Sequence, residues 1–183
     1  MEPLKFRDAA EWESWLAACK SEQAEAWLLI GKRRSGTDLI SIESALDVAL
    51  CHGWIDGQRK ACDDVSFLQR YSRRQANSSW SKVNVAKAEA LMAAGRMQPA
   101  GLLEIEAAKA DGRWEAAYES QRSAEVPPDL AAALAGDALA SNAFGKLGRS
   151  DRYAIILPLL KARTPDSRAR ILARQVKKLA GQE

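Results

Sequence analysis

The period of the apolar positions changes three times in the first third of the chain. Phe6, Trp12, Trp15, Leu16 and Cys19 recur at near-helical spacing, and Asp8 stands where a carboxylate caps a helix, which predicts a helix over residues 9–20. Ala26 to Gly31 is too short an apolar run for a helix and leaves through Lys32-Arg33-Arg34-Ser35-Gly36, so it predicts a buried strand. After Ser41, an N-cap residue, the residues Ile42, Ala45, Leu46, Ala49 and Leu50 trace one helical stripe, and Gly53 closes it. Residues 54–60 and 65–71 then read as extended segments separated by Asp63-Asp64. The segments near 27, 56 and 68 together predict a small antiparallel sheet.

From Ser81 the pattern is helical. Helices are expected over residues 82–94, ended by Gly95, and from Pro99 to Ala110, while Trp114 and Tyr118, four apart, predict a further helical turn. The polar stretch 120–129, with Pro127-Pro128, reads as a linker. Alanine-rich short helices follow: Ser150 is expected to cap the one holding Tyr153, Ile156, Leu157 and Leu160, and Pro158 to bend or shorten it. Thr164-Pro165 signals the start of the last helix, with Leu172, Val176 and Leu179 on its apolar side and Arg170, Arg174 and Lys178 directed elsewhere. The expected architecture is therefore α+β: a small antiparallel sheet with packed helices in residues 1–119, a linker at 120–129, and an all-helical module at 130–183 packed against the first region.

Composition narrows the class. With 47% apolar and 28% charged residues, the 183-residue chain has enough core-forming material to exclude global disorder. Cys19, Cys51 and Cys62 are an odd set within regular segments, which predicts free thiols. The opening residues lack a basic start followed by an apolar run, and Tyr153 to Leu160 is far short of the ~20 residues a membrane helix needs. The expected location is cytoplasmic. Charge is uneven: residues 161–183 hold seven basic residues against two acidic ones, a surplus of five, whereas the whole chain carries +3. The final helix can therefore meet an acidic partner or nucleic acid, or simply pack one face and expose a solvated basic one.

Reactive-looking residues concentrate between Cys51 and Asn84. Cys51 beside His52 suggests a thiolate nucleophile, but helix neighbours differ by about 100° and do not face one another. One histidine and three scattered cysteines give no zinc pattern; Asp56, Asp63 and Asp64 allow an oxygen site, though aspartates near turns commonly bond their own backbone. Phosphate-loop and dinucleotide fingerprints are absent, and no metal or cofactor is expected. The tract Arg70-Tyr71-Ser72-Arg73-Arg74 followed by Ser78-Ser79-Trp80-Ser81 joins guanidinium groups, hydroxyls and an indole just before a helix start, a setting for an anion or for an internal network. Nucleic-acid binding would stack bases on Tyr71, Trp54 or Trp80 and place phosphates on Arg70, Arg73, Arg74 or Lys82.

Leu50-Cys51-His52-Gly53-Trp54-Ile55-Asp56-Gly57, Arg70 to Arg74, and Ser78-Ser79-Trp80-Ser81-Lys82-Val83-Asn84 resemble the YdeI/OmpD-associated, or bacteriocin-protection, family. Gly95 to Gly101, Ala108 to Trp114 and Ala162 to Ile171 extend the resemblance over residues Trp12 to Leu179. It implies an α+β amino-terminal part, a helical carboxy-terminal module and a stress-related role without a defined reaction. The family pattern has phenylalanine where His52 stands, and Arg-Phe-Thr-Pro-Arg-Arg where Arg70 to Gln75 stand. The expected function is a non-catalytic, stress-related or partner-binding protein. Its expected binding surface consists of Trp54, Asp56, Arg70, Arg74, Trp80 and Asn84, taking an acidic peptide, a protein or a small anion, with homo-oligomerisation open. The alternatives are an enzyme acting on a small anion through Asp56 and Arg74, and a nucleic-acid-binding protein.

Overall fold

The computed structural model describes residues 2–20, 22–33 and 35–181. The chain divides into two units, Met1–Ser78 with Asn84–Glu115, and Ser79–Val83 with Ala116–Glu183. The first contains β1 (Leu4–Lys5), α1 (Ala9–Ala18), β2 (Glu25–Gly31), α2 (Ile42–Cys51), β3 (Trp54–Ala61), β4 (Ser66–Arg73), most of α3 (Lys82–Ala93) and α4 (Pro99–Ala110). The second is helical: α5 (Pro128–Ala135), α6 (Ala138–Lys146), α7 (Arg149–Leu160) and α8 (Pro165–Leu179).

The sheet order is β1-β2-β4-β3. The three expected strands pair antiparallel, with β4 between β2 and β3. The sheet is nonetheless mixed, because β1 adds a two-residue parallel edge to β2; two residues carry no period to read. Alternation in β2 buries Ala26, Leu28 and Ile30, and their β4 partners Tyr71, Gln69 and Phe67 are buried on the same face. Against this face α1 contributes Trp12 and Leu16, and α2 contributes Ala45, Val48 and Ala49. Trp12 is fully buried and donates its indole N–H to the Ala45 carbonyl at 3.1 Å. Its ring meets Phe6, Trp15, Trp54 and Tyr71 at centroid distances of 5.2–6.3 Å. Burying each such large side chain contributes about 1.5–3 kcal/mol.

The register slips once. Asp56 pairs with Tyr71 and Arg59 with Gln69, so three steps along β3 match two along β4. Such a β-bulge moves the later side chains of the strand to the opposite face, which sets Arg59 rather than Gln58 beside Gln69.

The caps expected at Asp8, Ser41 and Thr164 form: their side chains accept from Glu11, Ser44 and Ser167 N–H. Two expectations change. Residues 111–116 are turns rather than a helical turn, and Tyr118 instead bridges Ser81, taking Lys82 N–H on its carbonyl at 2.9 Å and giving its own N–H to Trp80 at 3.0 Å. The α7 N-cap is Gly148, two residues before the expected cap, and Ser150 lies inside the helix, accepting from Gln121. Pro158 lies in the last turn of α7, which ends at Leu160. In the second unit Leu130, Leu134, Phe144, Ile156 and Leu159 are the buried centre, with Leu172, Val176 and Leu179 of α8 packed on it. Arg168 grips both Asp129 oxygens at 2.6 and 2.9 Å and the Leu159 carbonyl at 2.7 Å, joining α8 to α5 and α7.

Gly101 in α4 faces the end of α2, and a Cβ there would collide with the Leu50 and Cys51 carbonyls and the Met97 methyl. Gly145 in α6 has open space around it. In urea denaturation, Gly101→Ala should lose about 1–3 kcal/mol despite alanine's better helix propensity. Gly145→Ala should gain up to about 1 kcal/mol.

Candidate functional site

The Cys51-His52 pair sits at the end of α2. Cys51 is a buried free thiol, and burial pushes its titration upward. His52 is the C-cap residue, its Nε2 lies 3.7 Å from a Glu13 carboxylate oxygen, and burial favours its neutral form. A thiol held protonated beside an imidazole directed at a glutamate is not an activated nucleophile. Cys19 and Cys62 are also free. Among the described residues no group of three or more His, Cys, Asp or Glu could hold a metal ion. Asp63 is committed to its own turn, accepting from Val65 N–H, Ser66 N–H and the Ser66 hydroxyl at 2.7–2.9 Å.

The expected surface residues of the first unit do not share one face. Trp54 is 1% exposed, set edge-on to Trp12 and Trp15 with the Arg73 guanidinium 5.2 Å above its ring, so it is a core residue. Asp56 follows on the same face of β3 and pairs across the ladder with buried Tyr71. Arg74, 6% exposed, gives its backbone N–H to the Gly53 carbonyl at 3.0 Å. Arg70 lies on the other face of β4, beside Trp27, and forms a half-exposed pair with Glu25 at 2.7–2.8 Å. A pair of that exposure contributes about 0–1 kcal/mol. Asn84 is half-buried on α3, one turn before Lys87, whose ammonium binds Asp47 of α2 at 2.8 Å. Trp80 is buried and belongs to the second unit.

Asp56 and Tyr71, with Arg74 close to the carboxyl, form a perturbed pair. Burial raises the Asp56 carboxyl above its ordinary range, while its own backbone N–H, then Arg74 and Arg59, pull the other way. Burial, followed by the Asp56 charge, pushes the Tyr71 hydroxyl well above the usual phenol range. That hydroxyl has no hydrogen-bond partner among the described residues. The carboxyl and hydroxyl can hold a proton, and Arg74 can orient an anion.

Two exposed basic features stand outside the tract. In the second unit Arg170, Arg174, Lys177 and Lys178 fall at i, i+4, i+7 and i+8 on the solvent side of α8, and none forms a salt bridge among the described residues. In the first unit Lys32, Arg33, Arg59 and Lys60 border a groove at one end of the sheet. Sequence reading placed Arg170, Arg174 and Lys178 correctly but overlooked Arg59, whose side is decided by the bulge. Gly57 within an otherwise extended segment was the only signal of it.

The geometry defines an α+β protein with an accompanying helical module. Residues 4–104 match the family described as a domain of unknown function (DUF8412), and the chain belongs to that family. Residues 123–181 match the family described as bacteriocin-protection, YdeI or OmpD-associated. The family resemblance seen in the sequence is thus met by this match in the helical module, over a shorter span than Trp12 to Leu179. Neither the curated proteins nor the solved structures contain a match to the chain. Among the described residues no helix is long and apolar enough to cross a membrane.

A carboxyl raised in the folded state contributes stability that is full below its unfolded titration range and is lost as pH rises through the folded one. Asp56→Asn removes that loss. The stability of the variant relative to wild type, read from urea midpoints, should therefore increase as pH rises above the ordinary carboxyl range and level off once the folded carboxyl has ionised. A difference independent of pH would contradict the raised carboxyl.

Proposed function

We propose that the chain is a non-catalytic, cytoplasmic, stress-related binding protein whose YdeI/OmpD-associated module receives an acidic segment of a partner protein on α8. The observation that carries this reading is the exposed stripe Arg170, Arg174, Lys177 and Lys178, four cations over little more than two turns, none in a salt bridge among the described residues although Asp137 borders the same hollow as Lys177. The inward side of the same helix is held by Leu172, Val176 and Leu179 and by the Arg168–Asp129 fork. The stripe is therefore presented on a fixed support, which lowers the ordering cost of binding. A protonated Cys51 thiol supports a non-catalytic role, and three free thiols suit a reducing compartment. The words bacteriocin protection in the description of the matching family motivate the stress-related part. In this reading Asp56, Arg74 and Asn84 stabilise the edge of the first unit, Trp54 and Trp80 serve as buried anchors, and Arg70 with Glu25 decorates the open face of the sheet.

Titration calorimetry with a synthetic aspartate- and glutamate-rich peptide tests the proposal. Reversing Arg170, Arg174 and Lys178 to glutamate should weaken binding by at least about tenfold, because like charges then oppose each other, while the circular dichroism spectrum stays unchanged. Affinity should also fall with added salt. Unchanged peptide binding by the reversed protein would reject α8, and tighter binding of an oligonucleotide of equal charge would favour nucleic acid as the partner.

A further inference from the structure

The groove at the end of the sheet has a volume of about 650 Å³, the size of a small-molecule site. Its floor is apolar, built from Ile42 and Phe67, and its border is cationic, built from Lys32, Arg33 and Arg59, with Lys60 adjoining but its ammonium turned to the opposite face of the sheet. None of these four makes a salt bridge among the described residues. Three of them are instead held by neutral groups. Arg59 donates Nε to Gln69 Oε1 at 3.3 Å and lies over the Phe67 ring at 4.2 Å. Lys32 donates its ammonium to the Asp63 carbonyl at 2.7 Å, and Lys60 sits over the Trp27 ring at 4.3 Å. The nearest acidic side chains along the chain are Asp56, whose carboxyl feels Arg59 while burial favours its neutral form, and Asp63, which is committed to Val65 and Ser66.

This arrangement depends on the bulge. Without the extra residue in β3, Gln58 would stand opposite Gln69 and Arg59 would point to the other face. Gln69 itself is 2% exposed, and its amide nitrogen donates to the Gly57 carbonyl at 3.0 Å, at the bulge. A buried polar side chain that spends one end on the bulge and the other on Arg59 Nε orients the guanidinium and leaves its two terminal nitrogens for another acceptor. The ring and carbonyl that position Arg59 and Lys32 do not cancel their charge, and burial favours the neutral form of Asp56, so these two cations and Arg33 keep the groove positive beside an apolar floor.

We infer that this groove binds a small organic anion, a carboxylate, phosphate or sulfonate carried on an aromatic or aliphatic body, with Arg59 and Lys32 taking the charged end and Ile42 and Phe67 the apolar one. The inference is independent of the α8 reading and goes beyond it.

The full chain titrated with 2-naphthyl phosphate, followed by ¹H–¹⁵N NMR, provides the test. Saturable shifts should gather at the amides of Gly31, Lys60, Ala61 and Phe67. Arg59→Met and Lys32→Met should each weaken binding about tenfold, the scale of a lost charge-assisted hydrogen bond, and Lys146→Met on α6 should leave it unchanged. Inorganic phosphate and 2-naphthol should each bind less tightly than the joined molecule. Absence of saturation, shifts gathered elsewhere, or wild-type affinity in both methionine variants would overturn the site. Inorganic phosphate binding as tightly as the aryl ester would overturn the organic part. Should Arg59→Met disturb the fold, Lys32→Met, exposed and outside the sheet ladder, decides the matter.

Discussion

Trp12 is the contact on which the first unit turns. Its indole has no exposed surface, yet it carries one polar atom, and a buried N–H must find an acceptor or cost about 1–3 kcal/mol. The Ala45 carbonyl of α2 supplies it, so α1 and α2 are locked in rotation as well as in distance. The ring then presents surfaces to Phe6 at the edge of the sheet, to Trp54 of β3 and to Tyr71 of β4. One side chain thereby specifies how two helices lie on three parts of the sheet. Offset and edge-on aromatic contacts add about 0.5–1.5 kcal/mol each beyond the area they bury.

That constraint explains the division of labour along the polar tract. Trp54 is drawn into the aromatic cluster, which removes it from any surface, and Asp56 is carried with it toward the half-buried edge because it lies two residues further on the same face. The carboxyl pays in desolvation for a position that Arg74 and Arg59 only partly compensate. Arg70, one residue from Tyr71, must point the other way and finds Glu25 across the ladder. Alternation in a strand thus separates residues that sit close together in sequence.

The bulge in β3 then reassigns the end of the sheet. Up to Asp56 the strand follows its aromatic anchor; beyond it Arg59 joins Phe67 and Gln69 on the covered face. In the second unit a comparable role falls to Arg168, whose fork to Asp129 and bond to Leu159 hold α8 so that its remaining cations face solvent. Both basic surfaces exist because one internal arginine or glutamine is satisfied by specific acceptors and its neighbours are not.

Local chemistry already written in the residues accounts for much of this protein. Side-chain caps at Asp8, Ser41 and Thr164, the apolar stripes of α2 and α8, the strand at Ala26 and the alternation of α+β and all-helical parts follow from short-range periodicity and hydrogen bonding, so they were legible directly. The α8 cations were legible too, since a helix fixes side-chain direction by sequence spacing alone. The site was less so. Which face Arg59 and Arg70 take, that β4 lies between β2 and β3, that a two-residue β1 pairs in parallel, and that Trp54 is core rather than contact ring were decided only in three dimensions. Strand pairing and register join residues far apart in the chain, and one inserted residue reverses every direction beyond it without altering the local pattern by which a strand is recognised.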